Sequence, residues 1–243
     1  MNMMRFTTMK TKLRKYPSIF LILLLAISSC FLTGCVNQHP KDSKKSSQGE
    51  SVETMLEITD PKEKQAVLNA KAKVKALSGN PRIVATSPAV ADICDKLDLD
   101  LVGVPKSSVS KIPSRYKKVK KVGLAMSPDM EIVSSLNPDW ILAPSSLETD
   151  LKPKFEELKN TEYAFLNLRS VQGMYRSVQE LGEIFGKQQE AEKMTKEFTT
   201  FYKSYTKRNK NKKHPKVLVL MGLPGSYVIA TENSYVGSLV KLA

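Results

Sequence analysis

Four short stretches carry residue types that could do chemistry. Cys35 directly follows Leu32-Thr33-Gly34 and an apolar run; a cysteine preceded there by small residues suits cleavage and lipid attachment at that residue. Met126 ends the phrase Val122-Gly-Leu-Ala-Met126 and puts a soft, polarizable thioether in a loop that leads into a helix. That sulfur is either packed against the helix or presented as a donor. Ser87-Pro88-Ala89 reads as a helix start. The first N–H groups of a helix have no intrahelical acceptor and favour an anion, and Pro88 has no N–H, so Ala89 and its successor are the expected donors. Ser107 and Ser108 add hydroxyl and backbone donors. They lie in the tract Lys106–Lys121, which holds seven positive residues and no acid.

These groups must be positioned by alternating strands and helices. Ile83–Thr86 is read as a short buried strand, followed by a helix from Ser87 to about Leu97, and Leu101–Val104 as the second strand. Ser127 is the expected N-cap of the next helix, with Pro128 at its first position. Asn137-Pro138 ends that helix, and Trp140–Ala143 is the third strand. Glu148–Leu158 is a helix and Tyr163–Asn167 the fourth strand. Alternation of this kind predicts a parallel sheet covered on both faces, with ligand-binding loops at the carboxyl ends of its strands.

Val171–Phe185 and Gln189 to about Asn209 are two further helices. The second would span about 30 Å, and its stripe Ala191, Met194, Phe198, Phe201 and Tyr205 is read as core. The basic run Lys203–Lys216 is read as a solvated helix end and turn. Lys216–Gly222 is an apolar strand, Tyr227–Thr231 another, and Ser234–Ala243 the start of a helix. The organisation is therefore a signal segment 1–34, a tether 35–80 with a thin-striped, marginal helix after Asp60, an N-terminal α/β lobe 81–187, an inter-lobe helix 188–209, and the start of a C-terminal α/β lobe 210–243.

A net charge of +14 favours anionic surroundings such as a phospholipid surface, a wall polymer or an acidic ligand. Positive residues from Arg5 to Lys15, the apolar Ile19–Leu32 and Leu32-Thr-Gly-Cys35 resemble a bacterial lipoprotein leader with its lipobox, which implies palmitate-type lipidation at Cys35. The export signal argues against nucleic-acid binding. No phosphate-binding glycine loop, nucleophile elbow or Cys/His pair stands in the mature part, so an enzyme is not expected. Cys94 is read as a small buried residue.

A lipobox, a tether, a parallel α/β lobe, one long helix and the start of a second α/β lobe resemble the substrate-binding lipoproteins of ABC importers in the helical-backbone class (class III, periplasmic-binding-protein-like). Arg82-Ile-Val-Ala-Thr-Ser-Pro88, Leu97-Asp-Leu-Asp-Leu-Val-Gly-Val-Pro105, Pro113-Ser-Arg-Tyr-Lys117, Val122–Met126, Asn137-Pro-Asp139 and His214–Tyr227 narrow the resemblance to the haem-binding lipoproteins of the iron-regulated surface determinant systems. The resemblance implies haem (iron protoporphyrin IX) as the transported ligand, with Met126 as one axial ligand and Pro88, Ala89, Ser107 and Ser108 at the propionates. It also implies upstream haem-donor surface proteins and an ABC permease as partners, and a lipid-anchored place on the extracytoplasmic face of the cell membrane. The family's second axial ligand is a histidine of the second lobe. Neither His39 nor His214 sits at its position, and the chain is expected to be a C-terminally truncated form. Related lipoproteins carry ferric siderophores or cobalamin, and a surface lipoprotein that binds no small ligand is a further alternative.

Overall fold

The computed structural model describes residues 56–213, 215–223 and 225–243. The leader, Cys35, the tether segment 36–53, His39 and His214 lie outside the described residues. In chain order the elements are α1 (Pro61–Lys75), β1 (Ile83–Ala85), α2 (Pro88–Lys96), β2 (Leu101–Val104), β3 (Lys120–Lys121), β4 (Gly123–Leu124), β5 (Ser127–Pro128), α3 (Met130–Ser135) and β6 (Trp140–Pro144). They continue with α4 (Glu148–Glu156), β7 (Glu162–Leu166), α5 (Val171–Phe185), α6 (Gln188–Asn209), β8 (Leu220–Leu223), β9 (Ser226–Ile229) and α7 (Tyr235–Leu242).

The central sheet is parallel, in the order β3-β2-β1-β6-β7. Successive strand residues point to opposite faces, and the core divides accordingly. Ile83, Ala85, Trp140 and Leu142 join residues of α1, α2 and α5 on one face. Val84, Ile141 and Ala143 join Val133, Leu151, Phe155 and Phe165 on the other. Phe155 and Phe165 stack with their centroids 5.8 Å apart. Gly103 is required where the second face closes on β2: a Cβ there would stand 2.8 Å from Val122 and 2.9 Å from Leu136.

Several expectations need correction. The helix assigned to the tether is part of the globular unit, because α1 buries Val67 and Ala70 in the first core and its Lys71 and Lys73 pair with Glu183 and Glu162. A thin apolar stripe suffices where the partner helix supplies the rest of the surface. The sheet has a fifth strand, β3, inside the tract read as a loop; both its lysines are exposed, so no apolar signal marks it. The helix beginning at Met130 is capped by Asp129, which accepts from Glu131 N–H and Ile132 N–H at 3.1 Å each. Ser127 and Pro128 instead form a strand paired to Leu124 and Gly123. Phe201 is 59% exposed and stacks on Tyr205 rather than entering the core.

The strand expected over Lys216–Gly222 is shorter. β8 pairs antiparallel with β9, and Val217, Leu218, Tyr227 and Ile229 are exposed. α7 leans on the first lobe, where Val171 N–H donates to Ser238 Oγ at 3.2 Å. No helix among the described residues is long and apolar enough to cross a membrane.

Candidate ligand-binding site

Because β3, β2 and β1 are neighbours, the loops at their carboxyl ends stand in a row. The first is the start of α2. Ser87 is buried and its Oγ accepts the Val90 N–H at 3.3 Å, so the successor of Ala89 is already occupied. Ala89 is exposed, and as the second helical residue its N–H has no acceptor within the helix. Pro88 beside it is half-buried. The second loop follows β2. Ser107 Oγ accepts from Ser110 N–H at 3.0 Å, which folds the loop on itself and leaves the hydroxyl proton free to be donated. Ser108 and Val109 are exposed, Val109 at 94%.

The third is the β4–β5 hairpin, with Ala125-Met126 at its turn. Its base is tied twice to the β2 segment: Val122 N–H donates to Val104 C=O at 2.9 Å, and Lys106 N–H to Gly123 C=O at 2.6 Å. The Ser107-Ser108 loop and the Met126 hairpin are therefore held side by side. Asp129 N–H closes the hairpin onto Val122 C=O at 2.8 Å. Gly123 makes the geometry possible, since its φ is +96° and a Cβ would stand 2.9 Å from Asp129 N.

Met126 is 73% exposed, whereas Met130, Met174 and Met194 pack against the two cores. The Met126 side chain is therefore not packed against either core. Leu124, also exposed, adds apolar surface to the same hairpin, a contribution that a sequence pattern of two-residue strands does not signal.

The basic tract divides. Arg115 turns to the amino edge of the sheet, pairing with Asp98 and Asp100 at 2.8 Å each. Lys106, Lys111, Lys117, Lys118, Lys120 and Lys121 are all exposed and give this flank a positive field. Among the described residues no three His, Cys, Asp or Glu side chains stand together as a metal cluster. Cys94 is fully buried, and burial pushes its thiol up to about 12, so it is neither a ligand nor a nucleophile at neutral pH. Farther along the carboxyl edge, a hollow of about 610 Å³ opens between the β6 and β7 loops, lined by Ser145, Ser146, Thr149, Lys152 and Arg169 among others. Its polar character distinguishes it from the Met126 end, and the serine pair after Pro144 is the only trace of it in the sequence.

A family model described as "Periplasmic binding protein" matches residues 83–243, the span from β1 to the last residue. The chain belongs to the periplasmic binding protein family. Its α/β fold, a parallel sheet with helices on both faces, is the one the sequence resemblance implied. The high-affinity heme uptake system protein IsdE of Staphylococcus aureus strain Newman is 41% identical over 167 residues, which cover 68% of this chain and 56% of that protein. Two crystal structures share the binding-protein fold with a TM-score of 0.63. One is an ABC transporter substrate-binding protein from Listeria monocytogenes (45% identical); the other is S. aureus IsdE complexed with heme (38% identical). Each comparison covers 68% of this chain and 63% of the other. The chain thus spans 56% of the length of that curated relative.

Proposed function

We propose that this chain is the haem-holding part of a receptor that is lipid-anchored through Cys35 on the extracytoplasmic face of the cell membrane. In this reading it takes haem from upstream donor proteins and passes it to an ABC permease. The observation that carries the reading is the exposed Met126 thioether on a braced hairpin, beside the donors of Ser107, Ser108 and Ala89. Haem is a flat apolar plate with two carboxylates at one edge and a soft-ligand site at its centre. Met126 supplies the thioether, a ligand type known for haem iron. Ala89 N–H and the Ser107-Ser108 segment supply neutral donors for the propionates, with Pro88 flanking them. Leu124 and Val109 supply apolar contact, and the exposed lysines attract the anion at long range. The similarity to IsdE supports the same ligand.

An absorption titration of residues 36–243 with haem, beside Met126→Ala, tests this. The expected result is a saturable Soret shift that the variant weakens or alters. No saturable shift from folded protein would count against the reading. A ferric siderophore is the second reading, favoured by the polar hollow where Lys152 and Arg169 stand with Glu148 and Glu156. Saturable binding of a ferric siderophore with none of haem would select it.

A further inference from the structure

Two carboxylates are buried where α1 meets α5. Glu63 is 6% exposed and Glu180 1%, yet Glu63 Oε2 and both Glu180 oxygens have no donor among the described side chains and backbone. Glu63 acts directly on Glu180 across this contact, and two carboxyl groups can share a hydrogen bond only across a proton. Glu63 stands in the first turn of α1. Glu180, in the middle of α5, is the more deeply buried of the two and neither of its oxygens has a donor, and a carboxyl so placed holds its proton. The charged groups acting on Glu180 are Glu63 from α1 and Arg176 from its own helix. α6 brings the apolar Ala191 and Met194 to the same core.

We infer that the Glu63–Glu180 pair is an acid-tightened latch: a proton held between the two carboxyls fastens α1 to the lobe, and its loss releases α1 first. The chemistry follows from the energetics of burial. A lone proton makes the pair a charge-assisted hydrogen bond with one net charge; without it two anions face each other in a buried interface. Burial, with a further rise from Glu63, pushes the Glu180 carboxyl up to about 9. The unfolded value is near 4.3. Between those values the latched form holds a proton that the released form does not, so latching weakens as pH rises, approaching tenfold per pH unit. Below the unfolded value the effect is flat.

The test is hydrogen exchange of the α1 amides in the full chain in mild detergent, corrected for intrinsic rates, from pH 6 to 8. Glu180→Gln serves as the reference because its amide can donate to Glu63 without a titrating proton. The expected result is that α1 opening in the unsubstituted chain rises close to tenfold per pH unit relative to that variant, while β1 and β6 amides do not follow. Equal slopes in the two proteins, or a rise shared by the whole lobe, would overturn the latch. If Glu180→Gln does not fold, the carboxyl ¹³C titration of Glu180 decides: a midpoint above neutral supports the latch, and one in the ordinary glutamate range overturns it.

Discussion

The two edges of the central sheet are built from the same strands and finished in opposite ways. At the amino edge, polar groups are spent on one another. Arg82 donates to the carbonyls of Leu136 and Asn137, its N–H goes to Asp139 Oδ2 at 2.7 Å, and Arg115 and Lys187 converge on Asp98. At the carboxyl edge, the Met126 sulfur, the Ala89 N–H and the Ser107-Ser108 segment face outward. The backbone beneath them is fixed by hydrogen bonds between loops. Stability thus resides in the core and at one edge, while the other keeps its donors available on a rigid base. That division suits a fold that binds at the ends of its strands.

Substitutions can break or sharpen this contrast. Phe165→Ala, in the core beneath both edges, should destabilise most, by about 3–5 kcal/mol in urea unfolding, since Phe165 is fully buried and stacked on Phe155. A loss under 1 kcal/mol would mean that this core does not support the edges. Met126→Ala should leave unfolding within about 0.5 kcal/mol of the parent yet lower haem affinity about tenfold, or about 1.4 kcal/mol. The opposite split would place the methionine in packing.

Tyr116→Phe, which deletes the bond from the Tyr116 hydroxyl to Leu99 C=O at 2.5 Å, should cost about 1 kcal/mol and leave haem binding unchanged. The smallest effect belongs to Asp98→Asn. Lys187 and Arg115 hold the Asp98 carboxyl below its usual range. Its contribution is therefore present above about pH 4 and lost as pH falls through the lower folded value. Because the carboxylate is exposed, the effect should fade in high salt. Any change in haem binding in either amino-edge variant would show that the edges are coupled.

Much of this arrangement is legible in the residues. Apolar strands bounded by proline, with Ser87 at the start of α2, announce the parallel sheet because burial and capping act locally. What escaped is set by tertiary contact. Lys120-Lys121 becomes a strand only because β2 offers its free edge, and α1 becomes core only because α5 faces it. Asp129 displaces Ser127 as the cap because Pro128 is already paired with Gly123. The site was legible as a set of loops but not as a surface: the residues name Met126, whereas its exposure depends on a turn that a positive φ at Gly123 permits.

The most direct test of Met126 as the iron ligand is an NMR titration of the methionine methyl-labelled protein, residues 36–243, with one equivalent of haem. Ligation predicts that the Met126 methyl signal leaves the methionine region, shifted by the porphyrin ring current and the iron, while those of Met130, Met174 and Met194 stay. A saturated Soret band with the Met126 methyl signal unmoved would contradict it.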